Sequence, residues 1–382
     1  MKSLHPILVS STLLTFLVIA PVGNAAKPRI FVGSSRTTLG TQSNLTASVR
    51  LGDFDGDGDL DVAAANGRHW PQQNYLLFNQ VRGRFNVQRR LGTDLRTTYA
   101  TEVADLDGDG DLDIAVGNDM APCQVMLNDG QGDFVPGASL GELSSVRSLT
   151  LADLDGDGDV DILATSRGRP NRIFLNDGAA GFGSQKTFGG PSDSTISVAV
   201  ADLNQDGHND LVLANRDGQQ SYALLNDGEL GFKTRVYFGD KHDETRAIAV
   251  GDINGDGMMD LVAGNIGQAN ALYLGEVSGG FGSRIAFGRK DGQTYAIKLA
   301  DMNDDRLLDV VVGNVAQSNA VFFSNASYFH DQTGGVFSET RFGEETAVTY
   351  GLDVGDLDGD GFNDIVTANS GSLNRVFFNR AK

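Results

Sequence analysis

An acidic nonapeptide recurs seven times in this chain, and its spacing decides what the chain can fold into. Three copies are complete: Asp53-Phe-Asp55-Gly-Asp57-Gly-Asp59-Leu-Asp61, Asp105 to Asp113 and Asp153 to Asp161. Looser copies begin at Asp202 (DLNQDGHND), Asp252 (DINGDGMMD), Asp301 (DMNDDRLLD) and Asp356 (DLDGDGFND). Their first acids are 52, 48, 49, 50, 49 and 55 residues apart. A near-constant period of this size means one supersecondary unit used again and again.

Each unit offers four strand candidates, read from β-branched and apolar runs between turn signals. In the fourth they are Ile196–Ala201, Asp210–Ala214, Tyr222–Leu225 and Thr234–Phe238. The acidic loop joins the first two, and Asn226-Asp227-Gly228 opens the turn into the last. Seven four-stranded units with short connections fit an all-β, seven-bladed β-propeller. A linear solenoid would need distinct caps at both ends, and the termini offer something else. After the last acidic loop only Asp364–Ala368 and Arg375–Phe378 remain, while Arg29–Val32 stands spare at the start. The ring is therefore expected to close by the N-terminal strand completing the last blade, which leaves no open edge at the seam. Ile30-Phe31-Val32-Gly33 looks like the outer strands that end in Phe188-Gly189, Phe238-Gly239 and Phe287-Gly288.

Crowding four or five carboxylates into nine residues is costly unless something neutralises them. Ca²⁺ takes six to eight oxygens at about 2.3–2.6 Å. Side chains at positions one, three and five, the carbonyl at seven and the carboxylate at nine can supply them, with Gly at six permitting the turn. The candidate ligand positions are Asp53, Asp55, Asp57, Asp59 and Asp61; Asp105, Asp107, Asp109, Asp111 and Asp113; and Asp153, Asp155, Asp157, Asp159 and Asp161. In the looser copies they are Asp202, Asn204, Asp206, His208 and Asp210; Asp252, Asn254, Asp256, Met258 and Asp260; Asp301, Asn303, Asp305, Leu307 and Asp309; and Asp356, Asp358, Asp360, Phe362 and Asp364. Position seven enters through its carbonyl, whatever its side chain. An EF-hand would need Glu at position twelve and flanking helices. Position twelve holds Ala64, Val116, Ala164, Leu213, Ala263, Val312 and Thr367 instead, and β-type sequence follows. The alternative is a solvated acidic turn. The sixth copy is the doubtful site, because Arg306 replaces the glycine.

These loops, the Phe-Gly pairs and the Asn-Asp-Gly/Gly-Phe turns resemble the FG-GAP/VCBS repeat family, which includes the N-terminal propeller of integrin α-chains. The likeness covers essentially residues 26–382. It implies Ca²⁺ on positions one, three, five and nine, with a carbonyl at seven. The departures are Asn at position three in copies four to six, and Arg306.

Composition fits an exported cation binder. Residues 1–25 read as a secretory signal peptide cut near Ala25, with a basic start, an apolar run Ile7 to Ala20 and Gly23-Asn24-Ala25 as the cleavage site. A retained anchor is the alternative, although about 14 apolar residues fall short of a bilayer span. The expected location is secreted, periplasmic or cell-surface. The chain carries a net charge of −20, which speaks against nucleic acid and anionic membranes as partners. Only one cysteine, Cys123, is present, so no internal disulfide can staple the fold. Cys123 is expected as a half-buried residue in a loop.

Alternating strand direction puts the acidic loops and Asn-Asp-Gly turns on one face. On the other, seven residues before each acidic loop, stand Thr46, Thr98, Val146, Thr195, Thr245, Thr294 and Thr349, expected as β-branched strand starts. The next position holds Ala47, Tyr99, Arg147, Ile196, Arg246, Tyr295 and Tyr350. Tyrosine and arginine dominate binding hot spots, so Tyr99, Arg147, Arg246, Tyr295 and Tyr350 are candidate contacts to an extracellular protein or glycan; a plain channel rim is the alternative. Trp70, the only tryptophan, stands in the long loop Asn66–Asn74 and is equally consistent with stacking on a ligand or burial against a neighbouring blade. Further along the first strands, Arg50 is expected between Glu102 and Asp353, neutralised within the channel. His69, His208, His242 and His330 share no repeat position, and no nucleophile elbow, zinc spacing or phosphate loop appears. The expectation is a non-catalytic binding or adhesion module. A carbohydrate-active enzyme is the alternative, since some propellers of this kind belong to polysaccharide-cleaving enzymes.

Overall fold

The computed structural model describes residues 28–34, 37–142 and 145–382. The expected signal peptide, residues 1–25, lies outside them. Among the described residues the strands form seven antiparallel sheets: six have four strands in sequence order, and the last has three, joined by two strands from the N-terminal end. The first blade is Ser48–Gly52, Asp61–Ala65, Gln72–Phe78 and Val87–Arg96. Every second strand, from Asp61–Ala65 to Asp364–Asn369, is buried along its whole length. Both of its faces are covered by neighbouring blades, which is why these segments read as continuous apolar runs rather than alternating ones. The core therefore lies between blades: Leu163 and Ile173 of the third blade, for example, pack with Leu211, Leu213 and Leu224 of the fourth. One short helix, Ala326–Asp331, capped by Asn325, lies between the third and fourth strands of the sixth blade; no periodicity in so short a segment announces it.

The ring closes as expected. Arg29–Val32 pairs antiparallel with Asn374–Ala381, completing the sheet begun by Thr349–Gly355 and Asp364–Asn369. The register differs from the sequence reading. A second piece, Thr38–Leu39, pairs with the same strand, and Leu39 faces Asn374 as Phe188 faces Asn171. The counterpart of Phe188-Gly189 is thus Leu39-Gly40, not Phe31-Val32-Gly33. Gly40 and Gly189 share φ of +71° and +74°. The outer strand of this blade is simply broken in two.

Cys123 also departs from expectation. It is buried, and it begins the strand Cys123–Asn128. It occupies the position held in other blades by Asn74, Asn171, Asn319 and Asn374, whose amides reach across to the next blade. Those amides donate to Thr98, Thr195, Thr349 and Thr46 at 3.0–3.2 Å. Each of these threonine hydroxyls in turn donates to Asn118, Asn215, Asn369 or Asn66 of its own blade. The threonine series is thus a set of inter-blade clasps, chosen for the hydroxyl and not for β-branching. Where Cys123 replaces the asparagine, Val146 replaces the threonine it would meet, and the two share one apolar cluster. Both partners of the clasp have changed together, which leaves no buried polar group alone. Thr98→Val in an intact clasp lacks that compensation. It leaves the Asn74 amide and Asn118 carbonyl stranded and is expected to cost about 1–3 kcal/mol in denaturant unfolding.

Candidate functional site

The acidic loops are built by backbone donors before any ion is considered. The position-one carboxylate of Asp53 accepts from the N–H groups of Gly56 (2.8 Å) and Gly58 (2.9 Å). Asp105, Asp153, Asp252 and Asp356 accept from the equivalent groups. Folding the loop around that carboxylate needs left-handed backbone at positions four and six, where Gly56 and Gly58 have φ of +74° and +91°. The sequence reading identified only position six. Arg306 adopts the same conformation, φ +72°, and its N–H donates to Asp301 at 2.7 Å. Its side chain is exposed, so the sixth loop keeps its shape with the guanidinium outside it.

The position-nine aspartates are fully buried. In all seven loops one oxygen accepts from the position-two N–H and the other from the N–H that ends the third strand, at 2.7–3.1 Å. Asp61 thus joins Phe54 to Asn79, tying the loop to the third strand. Burial lifts Asp61, Asp309 and Asp364 to about 7, and Asp161 and Asp260 to about 6, against the opposing pull of those N–H donors. A nearby divalent cation would act the other way, favouring the charged form.

Four loops bring three carboxylates close enough to share one metal ion: Asp53, Asp55 and Asp57; Asp105, Asp107 and Asp113; Asp153, Asp155 and Asp161; and Asp356, Asp358 and Asp360. In the first and last of these a buried carboxylate oxygen, Asp55 Oδ1 and Asp358 Oδ1, has no hydrogen-bond partner among the described residues. A buried acceptor without a donor is costly. Clusters of this kind could hold a metal ion. In loops four to six the position-three amide closes on the position-five carboxylate: Asn204, Asn254 and Asn303 donate to Asp206, Asp256 and Asp305 at 2.9–3.0 Å. Those loops are less charged and already partly satisfied.

The seventh loop carries its own counter-ion. Arg380 pairs with Asp358 and, at 2.6 Å, with Asp360. The sequence points to Arg306 as the cation in a metal loop; the competing guanidinium is Arg380, from the end of the last strand. No spacing rule within the nonapeptide could have found it.

The position-seven side chains (Asp59, Asp111, Asp159, His208, Met258, Leu307 and Phe362) are acidic in only three of the seven loops. His208 lies against Gly228, and Phe362 lies under the Arg29 guanidinium at 3.7 Å. Only the carbonyl at this position can serve every loop. Neighbouring loops are linked by the buried asparagines of the Asn-Asp-Gly turns. Asn128 and Asn176 donate to the Phe54 and Leu106 carbonyls of the preceding blade, at 3.0 and 2.9 Å, so each clamps its neighbour's loop.

On the opposite face the structure brings the predicted contact residues together. A central cavity of about 490 Å³ is lined by Tyr99, Arg147, Arg246, Tyr295 and Tyr350 among others. The reason is a β-bulge that sequence periodicity does not show. The ladder register slips between Thr98 and Ala100, Val146 and Ser148, Thr245 and Ala247, Thr294 and Ala296, and Thr349 and Gly351. The slipped residue is the candidate contact each time, and a bulge re-aims its side chain. Ile196 sits at the same slip but is buried. Tyr295 and Tyr350 meet edge to face at 4.9 Å, and the Arg147 guanidinium lies over Tyr99 at 4.5 Å. Tyr99 Oη and His69 Nδ1 are 2.9 Å apart. Trp70, beside His69, is 71% exposed, which excludes burial against a neighbouring blade. Arg68, which holds no shared position in the repeat, lies over Tyr350 at 3.6 Å.

Deeper in the channel the charges pair off. Arg50 binds Glu102 as expected, with Nε to Oε2 at 2.7 Å. Asp353 turns instead to Lys298 at 3.0 Å and to the Leu51 N–H at 3.0 Å.

The FG-GAP-like repeat model matches six overlapping stretches, residues 53–116, 105–164, 153–213, 202–263, 252–312 and 301–367. Among solved structures, BBS1N in complex with ARL6DN is similar to this chain in a mercury-soaked crystal, with 13% identity, TM-score 0.59, and coverage of 92% of this chain and 96% of that one. The lead-soaked crystal of the same complex gives 13% identity, TM-score 0.58 and the same coverage. At that identity the likeness speaks to the fold. A search of curated proteins finds no match. With the repeat matched from the first acidic loop to the strand after the last, and the blades closed into one ring, the chain belongs to the FG-GAP-like repeat family.

Proposed function

We propose that this chain is an exported, calcium-stabilised propeller serving as a non-catalytic binding module, which engages a protein or glycan through the channel mouth opposite its acidic loops. The observation that carries the reading is the row of bulges aiming Tyr99, Arg147, Arg246, Tyr295 and Tyr350 into one cavity. A ring built only for stability has no use for aromatic and cationic side chains re-aimed in this way. The complex of the similar BBS1N with ARL6DN supports a binding role for such a fold. Calcium is favoured by all-oxygen donor sets and by the orphaned oxygens of Asp55 and Asp358. Export, with a mature chain starting after Ala25, suits a single-cysteine protein held by metal. A glycan and protein array with wild type and with Tyr99, Tyr295 and Tyr350 changed to Ala tests the mouth. A specific hit lost in the variants supports the reading, and a hit that survives all three places binding elsewhere.

The Tyr99–His69 pair beside Arg147 favours a carbohydrate-active enzyme as the second reading. Burial, however, raises the Tyr99 hydroxyl above its ordinary value, the wrong direction for a base. New unsaturated ends on acidic polysaccharides incubated with the protein would establish that reading.

Arg380 makes a separate prediction. Arg380→Gln frees Asp358 and Asp360 and is expected to tighten calcium binding at the seventh loop by roughly tenfold, about 1.4 kcal/mol, in calorimetry. Unchanged affinity would mean the guanidinium does not compete.

A further inference from the structure

The two layers of the channel differ in charge balance. In the deeper layer Arg50 with Glu102 and Lys298 with Asp353 are paired. At the mouth stand Arg68, Arg147 and Arg246. Arg147 approaches Asp119 at 3.4 Å, and nearby Arg216 is held by Glu244 at 2.8 Å. Arg68 and Arg246 have no carboxylate partner among the described residues, and both lie over aromatic rings, Tyr350 and Tyr295. A chain of net charge −20 has carboxylates to spare, yet leaves Arg246 unbalanced in the central cavity and Arg68 unbalanced over Tyr350, one of the residues that line it.

Neighbouring titratable groups feel that excess. Arg246 is brought down to about 10, by burial first and then by Arg68 and Arg216. His69 is pushed below its ordinary value by burial, then by Arg68 and Arg147. Even so, Arg246 stays charged at neutral pH. A concave site of one sign with low-dielectric walls concentrates the opposite charge, and a guanidinium fork matches a carboxylate in two places.

Resting on the reading of the mouth as the recognition face, we propose that its ligand is an acidic saccharide, bound with a ring carboxylate between Arg68 and Arg246. The aromatic lining is what favours a sugar over an acidic peptide. Tyr99, Tyr295 and Tyr350 line the cavity, and exposed Trp70 stands on the loop that also carries Arg68 and His69. Such rings present flat apolar faces to pyranose C–H groups. A cavity of about 490 Å³ admits a few sugar rings and excludes a folded protein surface.

The full exported chain, loaded with calcium, is to be titrated with a short glucuronate oligosaccharide, its methyl ester, the neutral glucose counterpart and a glutamate peptide. Calorimetry gives affinity. Trp70, the only tryptophan, gives a fluorescence change local to the mouth. The expected result is saturable binding of the acid, at least roughly tenfold weaker binding of ester and neutral sugar, and a similar loss in Arg246→Gln and Arg68→Gln, as befits a hydrogen bond to a charged group. An unchanged melting temperature in the variants shows that they fold. No saturable binding of the acid, equal binding of the ester, or indifference to both glutamines overturns the inference. A glutamate peptide bound more tightly than the sugar overturns the choice of saccharide. The array with the tyrosine variants separates the two levels: a tyrosine-dependent hit indifferent to Arg68 and Arg246 sinks the acidic-saccharide inference and leaves the recognition face standing.

Discussion

Stripping metal from the folded protein with a chelator is expected to lower its melting temperature by on the order of 10 °C, and excess calcium to restore it. Extracellular calcium modules bind with Kd on the order of 10⁻⁴–10⁻³ M, and a site held at about 100 times its Kd adds about 2.7 kcal/mol. Four loops gather three carboxylates each. Counting those four alone, the stabilisation approaches about 11 kcal/mol. A ring of this length unfolds with an entropy of roughly 0.7 kcal/mol per kelvin, at about 2 cal/mol/K per residue, so the shift is roughly 10–15 °C if the ring melts as one unit. Asp157→Ala should remove about one loop's share. The effect should weaken little in moderate salt, because the ligands form a chelate and not a diffuse surface attraction. Differential scanning calorimetry with and without chelator decides the matter: superimposable transitions would mean that the backbone donors to Asp53 and its counterparts already satisfy these loops.

The legibility of this fold was uneven for physical reasons. Period and blade count were open to reading because each blade must rebuild the same loop, turn and apolar second strand from local sequence. The acidic positions of the loops are legible for the same reason. The bulges are not. A register slip between Thr98 and Ala100 involves the partner strand, and no residue in Thr98-Tyr99-Ala100 is special for it. The candidate contact residues share one position in the repeat, and the strand pairing shows why they point into the channel. Arg380 and Arg68 were missed because each acts on residues distant in sequence. The threonine clasp was misread because one residue carries both a β-branch and a hydroxyl, and only the Asn74 amide across the blade boundary reveals which is used. The coupled change at Cys123 and Val146 was present in the sequence. Without the pairing there was no reason to compare positions 23 residues apart.

The seam of the ring makes the second large prediction. A chain beginning at Gly33, without Arg29–Val32, is expected to lose most or all of its folding stability. Arg29–Val32 supplies four ladder partners to the last strand, from Arg29 opposite Ala381 to Val32 opposite Phe378. Phe31 is buried against Phe323 of the sixth blade and Phe342 on its outer strand, with ring centroids 6.4 and 5.6 Å away. Arg29 donates from Nε to Asn379 Oδ1 at 2.7 Å. Asn379 in turn clamps the Met302 carbonyl of the sixth loop at 2.8 Å, so the N-terminal strand reaches two blades at once. Removing a buried phenylalanine alone costs about 3–5 kcal/mol. The severed Arg29–Asn379 contact adds about 1–3 kcal/mol, and that total rivals the 5–15 kcal/mol that typically holds a domain together. The freed edge at Phe378–Ala381 would also be open to pairing with other chains, so aggregation should accompany the loss. A terminal appendage would behave differently: its removal would leave the melting transition within a degree or two of the parent. A peptide of residues 28–39 added to the truncated chain separates closure from general damage, since strand addition in trans should restore the cooperative transition if the seam is what was lost.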